Sequence, residues 1–157
     1  MNARGFTLLE SLVALVVLSV GLLGAGATLL GSLGAHADAL RRANALQLVR
    51  DMADRIRSNG LGRASYDTRS ATAGADCAAT VCDAAALAAA DRAHFVDAAR
   101  AAFSLGDTQA DIRFEPAIGP AAPDRYDITL RYPGRSQAGA MDGVGLTVLV
   151  FAPVAGA

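Results

Sequence analysis

A single carboxylate at the start of a long uncharged segment constrains this chain more than any other feature. After Glu10, about 25 residues pass, from Ser11 to Ala35, without a charged side chain. A helix that crosses a bilayer needs about 20 predominantly apolar residues, so this segment predicts a transmembrane helix. An ionised carboxylate in hydrocarbon costs on the order of 3 kcal/mol on insertion scales. We therefore expect Glu10 to have a partner and a use.

The residues around Glu10 resemble a known processing motif. The sequence Gly5-Phe6-Thr7-Leu8-Leu9-Glu10, followed by the apolar run, resembles the N-terminus of type IV pilins and type II secretion pseudopilins. The resemblance implies that a prepilin peptidase cleaves between Gly5 and Phe6 and that Phe6 becomes N-methylated. Residues four apart share a helix face, which places Glu10 one turn from the new terminus. The resemblance implies that Glu10 pairs with the N-terminal amine of a neighbouring subunit.

Two simpler interpretations of the N-terminal segment, a secretory signal and a plain anchor, stay open. A signal usually has an apolar region of about 7–15 residues, and the run here is longer. A plain anchor leaves Glu10 unexplained. Arg4 favours a cytoplasmic N-terminus, whereas Arg41 and Arg42 beyond the far end oppose it. The resemblance implies a single pass through the bacterial inner membrane, with a cytoplasmic N-terminus and a periplasmic head.

Composition excludes several classes of function. The chain has 157 residues, 14 cationic side chains that are all arginine, and 15 acidic ones, and its arginines form no dense run. This pattern argues against a general nucleic-acid surface. The two histidines, His36 and His94, have no convincing nucleophile near them in sequence, so we expect no enzyme and no cofactor. The pairs Asp124/Asp127 and Asp107/Asp111 are expected to be solvated in exposed loops, and not to bind metal.

The two cysteines lie in a loop-like stretch rich in small and polar residues. Cys77 and Cys82 are separated by four residues, and in an exported domain such a pair is most simply a disulfide. Free thiols are the next alternative. A zinc site is the least favoured, because four ligands are wanted and only His36 and His94 are there to supplement the cysteines.

The anchor is predicted to continue as one helix to about Asn59. No proline or glycine occurs between His36 and Asn59, and Asn59-Gly60 is a good C-terminal stop. An apolar stripe recurs at helical spacing at Ala45, Val49, Met52 and Ile56. Three oppositely charged pairs spaced four apart lie away from it: Asp38–Arg42, Arg50–Asp54 and Asp51–Arg55.

The remainder predicts a small α+β head. Residues 60–83 are expected to form a loop, with Asp83 capping a second helix over 84–103. In that helix Leu87, Phe95, Ala99 and Phe103 punctuate an alanine-rich run. Three antiparallel strands are predicted at 111–115, 125–133 and 144–151. The expected organisation is a leader at 1–5, a membrane or filament-core half-helix at 6–35, a periplasmic half-helix at 36–59 and a head at 60–157.

This layout is similar to that of PilV-type minor pilins, also called type IV pilus modification proteins. A cysteine pair after the long helix, a short alanine- and aspartate-rich helix and three strands carry the resemblance, together with the segment Asp51–Asn59. It implies a minor pilin that acts in pilus assembly or initiation, with roles in twitching motility or adhesion. The implied partners are prepilin peptidase, other minor pilins, the major pilin and the inner-membrane assembly platform. The alternatives are a minor pseudopilin of a type II secretion system and a tip adhesin or DNA-uptake pilin.

Overall fold

The structure, a computed structural model, describes residues 8–71, 76–77, 79–103, 107–119, 122–134 and 140–151. In this part of the chain the elements are helix α1 (Leu8–Ser58), a 3₁₀ turn (Arg63–Tyr66), helix α2 (Ala84–Phe103) and strands β1 (Gln109–Glu115), β2 (Asp124–Pro133) and β3 (Met141–Val150). The α+β layout expected from the sequence is confirmed. The chain divides into two compact units, Met1–Leu40 and Arg41–Ala157.

The C-terminal part of α1 belongs to the second unit and forms one side of its core. The predicted stripe is confirmed, since Ala45, Val49, Met52 and Ile56 are all buried. Spacing of three and four residues puts these side chains on one helix face. The helix ends at Ser58, where the Asn59 amide donates to the Arg55 carbonyl oxygen, within one residue of the predicted stop.

Helix α2 begins and ends where the sequence predicts. The Asp83 carboxylate accepts a hydrogen bond from the Ala86 amide at 2.7 Å, which satisfies a donor that the first turn leaves without a helical partner. Phe95, Ala99 and Phe103 are buried. Leu87 is 38% exposed, whereas the neighbouring Ala88 is buried and lies close to Gly62 at the start of the 3₁₀ turn. The turn approaches so closely that only a small side chain fits between the two elements.

The three strands form one antiparallel sheet in the order β1-β2-β3. Alternate residues of β2 point into the core, namely Asp124, Tyr126, Ile128, Leu130 and Tyr132, as the period of two requires. The strands begin earlier than predicted, because Gln109 pairs with Arg131 and Met141 pairs with Pro133. Pairing with a neighbouring strand thus lengthens β1 and β3 beyond their apolar residues.

The loop predicted over residues 60–83 contains the 3₁₀ turn, which the sequence interpretation missed. Its first residue, Arg63, has a φ of 37°, in the left-handed region that a residue with a Cβ rarely adopts. Two contacts hold it there. The guanidinium donates to Asp124 at 2.8 Å and lies 5.9 Å from the centre of the Phe114 ring. The turn is therefore fixed by tertiary contacts and not by local sequence preference.

Candidate functional site

The predicted processing residues Gly5 and Phe6 lie outside the described residues. Glu10 lies in the first turn of α1 with an exposed side chain. A carboxylate in the first turn of a helix is favoured by the positive end of the helix dipole.

The described part of the first unit exposes a large apolar surface. Helix α1 is long and apolar enough to cross a membrane, judged by length and composition, and its most apolar stretch is not buried. Its exposed large side chains include Leu8, Leu9, Leu12, Val13, Leu15, Val16, Val17, Leu18, Val20, Leu22, Leu23, Leu29, Leu30 and Leu33. A contiguous exposed patch of this size marks a lipid or protein contact surface.

Three hydroxyl side chains of this segment bond to carbonyl oxygens of their own helix. Ser19 donates to the Leu15 carbonyl oxygen at 2.7 Å, and Thr28 and Ser32 donate to carbonyl oxygens three residues earlier at 2.8 Å. A hydroxyl that bonds its own helix carries little desolvation cost into an apolar surrounding. The surface is therefore compatible with lipid, or with other apolar helices, along its length.

The disulfide predicted in the loop is present. Cys77 and Cys82 are bonded, with their Cα atoms 5.5 Å apart. The backbone turns tightly inside this small ring, where the amides of Ala79 and Thr80 and the Thr80 hydroxyl all donate to the Asp76 carbonyl oxygen. The bond therefore fixes a local turn just before α2.

A buried polar network joins α1, the 3₁₀ turn and α2. Arg55 donates to Asp91 at 2.8 Å, while Asn59 donates to the Tyr66 hydroxyl oxygen at 3.2 Å and to the Ala84 carbonyl oxygen at 2.9 Å. The Tyr66 hydroxyl lies 3.2 Å from both the Asp91 carboxylate and the Arg55 carbonyl oxygen. Burial raises the pKa of Tyr66, and the bond to Asp91 raises that of Arg55. These bonds fix how α1, the 3₁₀ turn and α2 pack against one another.

A second polar cluster closes the outer edge of β1. The Asp67 carboxylate accepts from the Phe114 amide at 3.0 Å and from the amide and guanidinium of Arg69. The Thr68 amide donates to the Ile112 carbonyl oxygen at 3.0 Å. The Arg69 bonds, helped by that of Phe114, hold the pKa of Asp67 well below its usual value against the opposing effect of burial. These bonds occupy backbone groups of Ile112 and Phe114, which would otherwise be open to another strand.

Of the four aspartates expected to be solvated, Asp107 is exposed as predicted, whereas the other three lie in strands and accept hydrogen bonds. Asp124 is buried and accepts from Arg63 and from the Ala117 amide at 2.9 Å. Asp127 lies on the other face of β2, because residues three apart in a strand point to opposite sides, and it accepts from Thr147 at 2.6 Å. Asp111 is bonded by Thr68 and Arg113. Partners distant in the chain bond all three of these aspartates, and no local pattern reveals them: Arg63 for Asp124, Thr147 for Asp127 and Thr68 for Asp111.

No group of three or more His, Cys, Asp or Glu side chains within the described ranges is arranged to hold a metal ion. His36 and His94 are exposed on helices. Of the predicted ion pairs, Asp51–Arg55 forms at 2.9 Å, whereas Asp54 bonds Arg57 at 2.7 Å. The exposed large apolar side chains are most continuous along α1 in the first unit.

Two family models match this chain. The model of the prokaryotic N-terminal methylation motif matches residues 1–26, and that of the type IV pilin Tt1218 matches residues 28–93. The matches cover the N-terminal motif, the rest of α1, the disulfide loop and the first half of α2. No curated protein sequence and no solved structure matches the chain.

Proposed function

We propose that this chain, which belongs to the type IV pilin superfamily, is a minor pilin that helps to initiate pilus assembly. The observation that carries the proposal is the N-terminal methylation motif in register with a helix whose apolar surface stays exposed. The chain has a second compact unit with a core of its own. Such a helix can be anchored in lipid and can then pack among similar helices after leaving the membrane.

Processing is the first step of the proposed mechanism. Prepilin peptidase cleaves between Gly5 and Phe6 and the new amine of Phe6 is methylated, while the head stands in the periplasm and the leader in the cytoplasm. Removal of the leader exposes a positive charge close to Glu10. A buried charge without a partner is strongly unfavourable, and pairing offsets much of that cost.

Assembly follows from the same charges. The Phe6 amine of one subunit and the Glu10 carboxylate of its neighbour neutralise each other as the helices bundle with the major pilin and other minor pilins at the inner-membrane platform. The registration of one charge pair then sets the axial offset between adjacent subunits. As a minor subunit the chain primes the filament and stays near its tip.

The test is the N-terminus of the protein isolated from its native membrane, measured by mass spectrometry. We expect a chain that begins at N-methylated Phe6. A chain that still begins at Met1 in cells with active prepilin peptidase would overturn the proposed processing. Quantification against the major pilin in sheared filaments tests the minor role, and comparable amounts of the two proteins would contradict it.

A further inference from the structure

The head unit contains a cavity of about 530 Å³ between the C-terminal half of α2 and the start of β1. Its charged lining consists of Arg100 on α2, Asp111 and Arg113 on β1 and Arg131 on β2. Three guanidinium groups thus face one carboxylate, in a chain whose formal net charge is −1. The net charge of the cavity lining is therefore positive, whereas that of the whole chain is negative.

The single carboxylate leaves most of this positive charge uncompensated. Asp111 accepts from Arg113 at 2.7 Å and also from Thr68. Arg100 is 4.0 Å from Asp97, and both side chains are more than 60% exposed, so solvent screens that pair and it is worth little. The Arg131 side chain has no ion pair within the described residues. Arg100 and Arg131 are therefore available to an anion.

The rest of the lining is polar and neutral. Gln109 and Thr129 supply an amide and a hydroxyl, and Thr108 lines the same cavity. The Thr108 hydroxyl is buried and has no hydrogen-bond partner in the described part of the chain, which is a costly state. Rotation of that side chain toward the cavity would give the hydroxyl a partner on a bound ligand.

From this lining we propose that the head binds a sugar that carries a phosphate or carboxylate group. A guanidinium fork matches the oxygens of either anion, and the neutral polar groups suit sugar hydroxyls. The cavity is far larger than a bare oxyanion and lies within the range of about 300–1,000 Å³ typical of small-molecule sites. The inference is independent of the assembly role, because it uses none of the residues of the first unit.

The test is titration calorimetry on the full-length protein in detergent micelles, with four probes. Glucose 6-phosphate and glucuronate are expected to bind, whereas glucose is expected to bind at least about tenfold more weakly, the effect of losing one charge-assisted hydrogen bond. Inorganic phosphate is also expected to bind more weakly than glucose 6-phosphate. Equal binding of glucose 6-phosphate and glucose would overturn the role of the arginines. Equal binding of inorganic phosphate and glucose 6-phosphate would overturn the proposal that the site recognises a sugar.

Matched arginine variants locate the site. Arg131→Gln and Arg100→Gln each remove a cavity charge, and each is expected to weaken glucose 6-phosphate binding by about tenfold. Arg50→Gln removes an exposed arginine of α1 outside the cavity and is expected to leave binding unchanged. A similar loss in all three variants would indicate unspecific charge attraction and contradict the proposal. Thermal unfolding of the variants checks that the head is intact, and both cavity arginines are exposed enough to be replaced safely.

Discussion

At the scale of single residues, Tyr66 and Tyr126, two of the three buried tyrosines of the core, differ in the environment of their hydroxyl groups. The Tyr66 hydroxyl lies within hydrogen-bond distance of Asp91, Asn59 and the Arg55 carbonyl oxygen. The Tyr126 hydroxyl is buried without a hydrogen-bond partner among the described residues, and burial raises its pKa to about 12. The two rings lie 6.3 Å apart and edge to face, so similar substitutions test two polar environments in one core.

We expect Tyr66→Phe to lower the free energy of unfolding by about 1–3 kcal/mol, since it leaves buried polar partners with fewer bonds. Tyr126→Phe is the matched control, and it is expected to be neutral or slightly stabilising because it removes an unsatisfied hydroxyl. Urea denaturation of the full-length protein measures both. Equal destabilisation by the two substitutions would contradict the assignment of the network.

The depressed pKa of Asp67 makes part of the stability dependent on pH. The folded state holds this pKa below the ordinary value of 3.8, chiefly through the Arg69 bonds. The unfolded state therefore binds the proton more readily, and the contribution of Asp67 is present above about pH 4 and is lost as the pH falls toward the folded pKa.

We expect Asp67→Asn to lower the free energy of unfolding at pH 7 by about 1–3 kcal/mol, the usual worth of bonds to a charged group. The difference from the wild type should shrink as the pH falls below about 4. Asp97→Asn, at an exposed helix position with a pair at 4.0 Å, should have no comparable effect. Denaturation at several pH values measures this, and a difference that stays constant down to pH 2 would argue against the linkage.

At the scale of elements, the contact between the 3₁₀ turn and α2 depends on the absence of one side chain. A Cβ built at Gly62 would lie 2.8 Å from the Ala88 Cβ, 2.8 Å from the Tyr66 ring and 2.9 Å from the side-chain nitrogen of Asn59. Real Cβ atoms do not approach other atoms so closely, so one of the two elements would have to move. The tyrosine network would be disturbed with it.

We expect Gly62→Ala to lower the free energy of unfolding by about 1–3 kcal/mol through this overpacking. Gly60→Ala is the matched control, because its nearest neighbour would be the Val150 side chain at an ordinary 3.5 Å. Thermal or urea unfolding distinguishes the two. Should Gly62→Ala prove as stable as Gly60→Ala, the close packing of the turn against α2 would be wrong.

At the scale of the whole molecule, the two units differ in the exposure of their apolar side chains. The described part of the first unit exposes apolar side chains along α1, whereas the second buries a core built from both helices, the turn and the sheet. Stability of the head and entry into a filament should therefore depend on different residues. Glu10, exposed in the first turn of α1, is the residue that separates them.

We expect Glu10→Gln to impair entry into the filament and to leave head unfolding unchanged, because the amide keeps the shape but cannot pair with a positive amine. Asp38→Asn, an exposed acid of the same helix outside the uncharged run, is the matched control with normal entry. Quantification of the subunit in sheared filaments and in membranes measures both. Normal incorporation of the Glu10 variant would refute the pairing role.

Much of the fold could be read from local patterns. The stripe from Ala45 to Ile56, the capping of α2 by Asp83 and the alternation along β2 each reflect a periodicity that the backbone imposes, and each is confirmed. The features that the sequence did not predict depend on contacts between distant residues. The 3₁₀ turn, with its strained Arg63, and the burial of Asp124 depend on each other through a single ion pair.

The sequence by itself determined the class of this protein, because a carboxylate before an uncharged run and a processing motif are local and must occur in register. It also predicted the end of α1, both ends of α2 and, as the simplest of three alternatives, the disulfide. Only the tertiary structure decided which acids are buried, which tyrosine is satisfied and where three arginines converge. Those outcomes require groups distant in the chain, such as Arg63 with Asp124 and Arg55 with Asp91, to meet where water is excluded, and no local pattern encodes such a meeting.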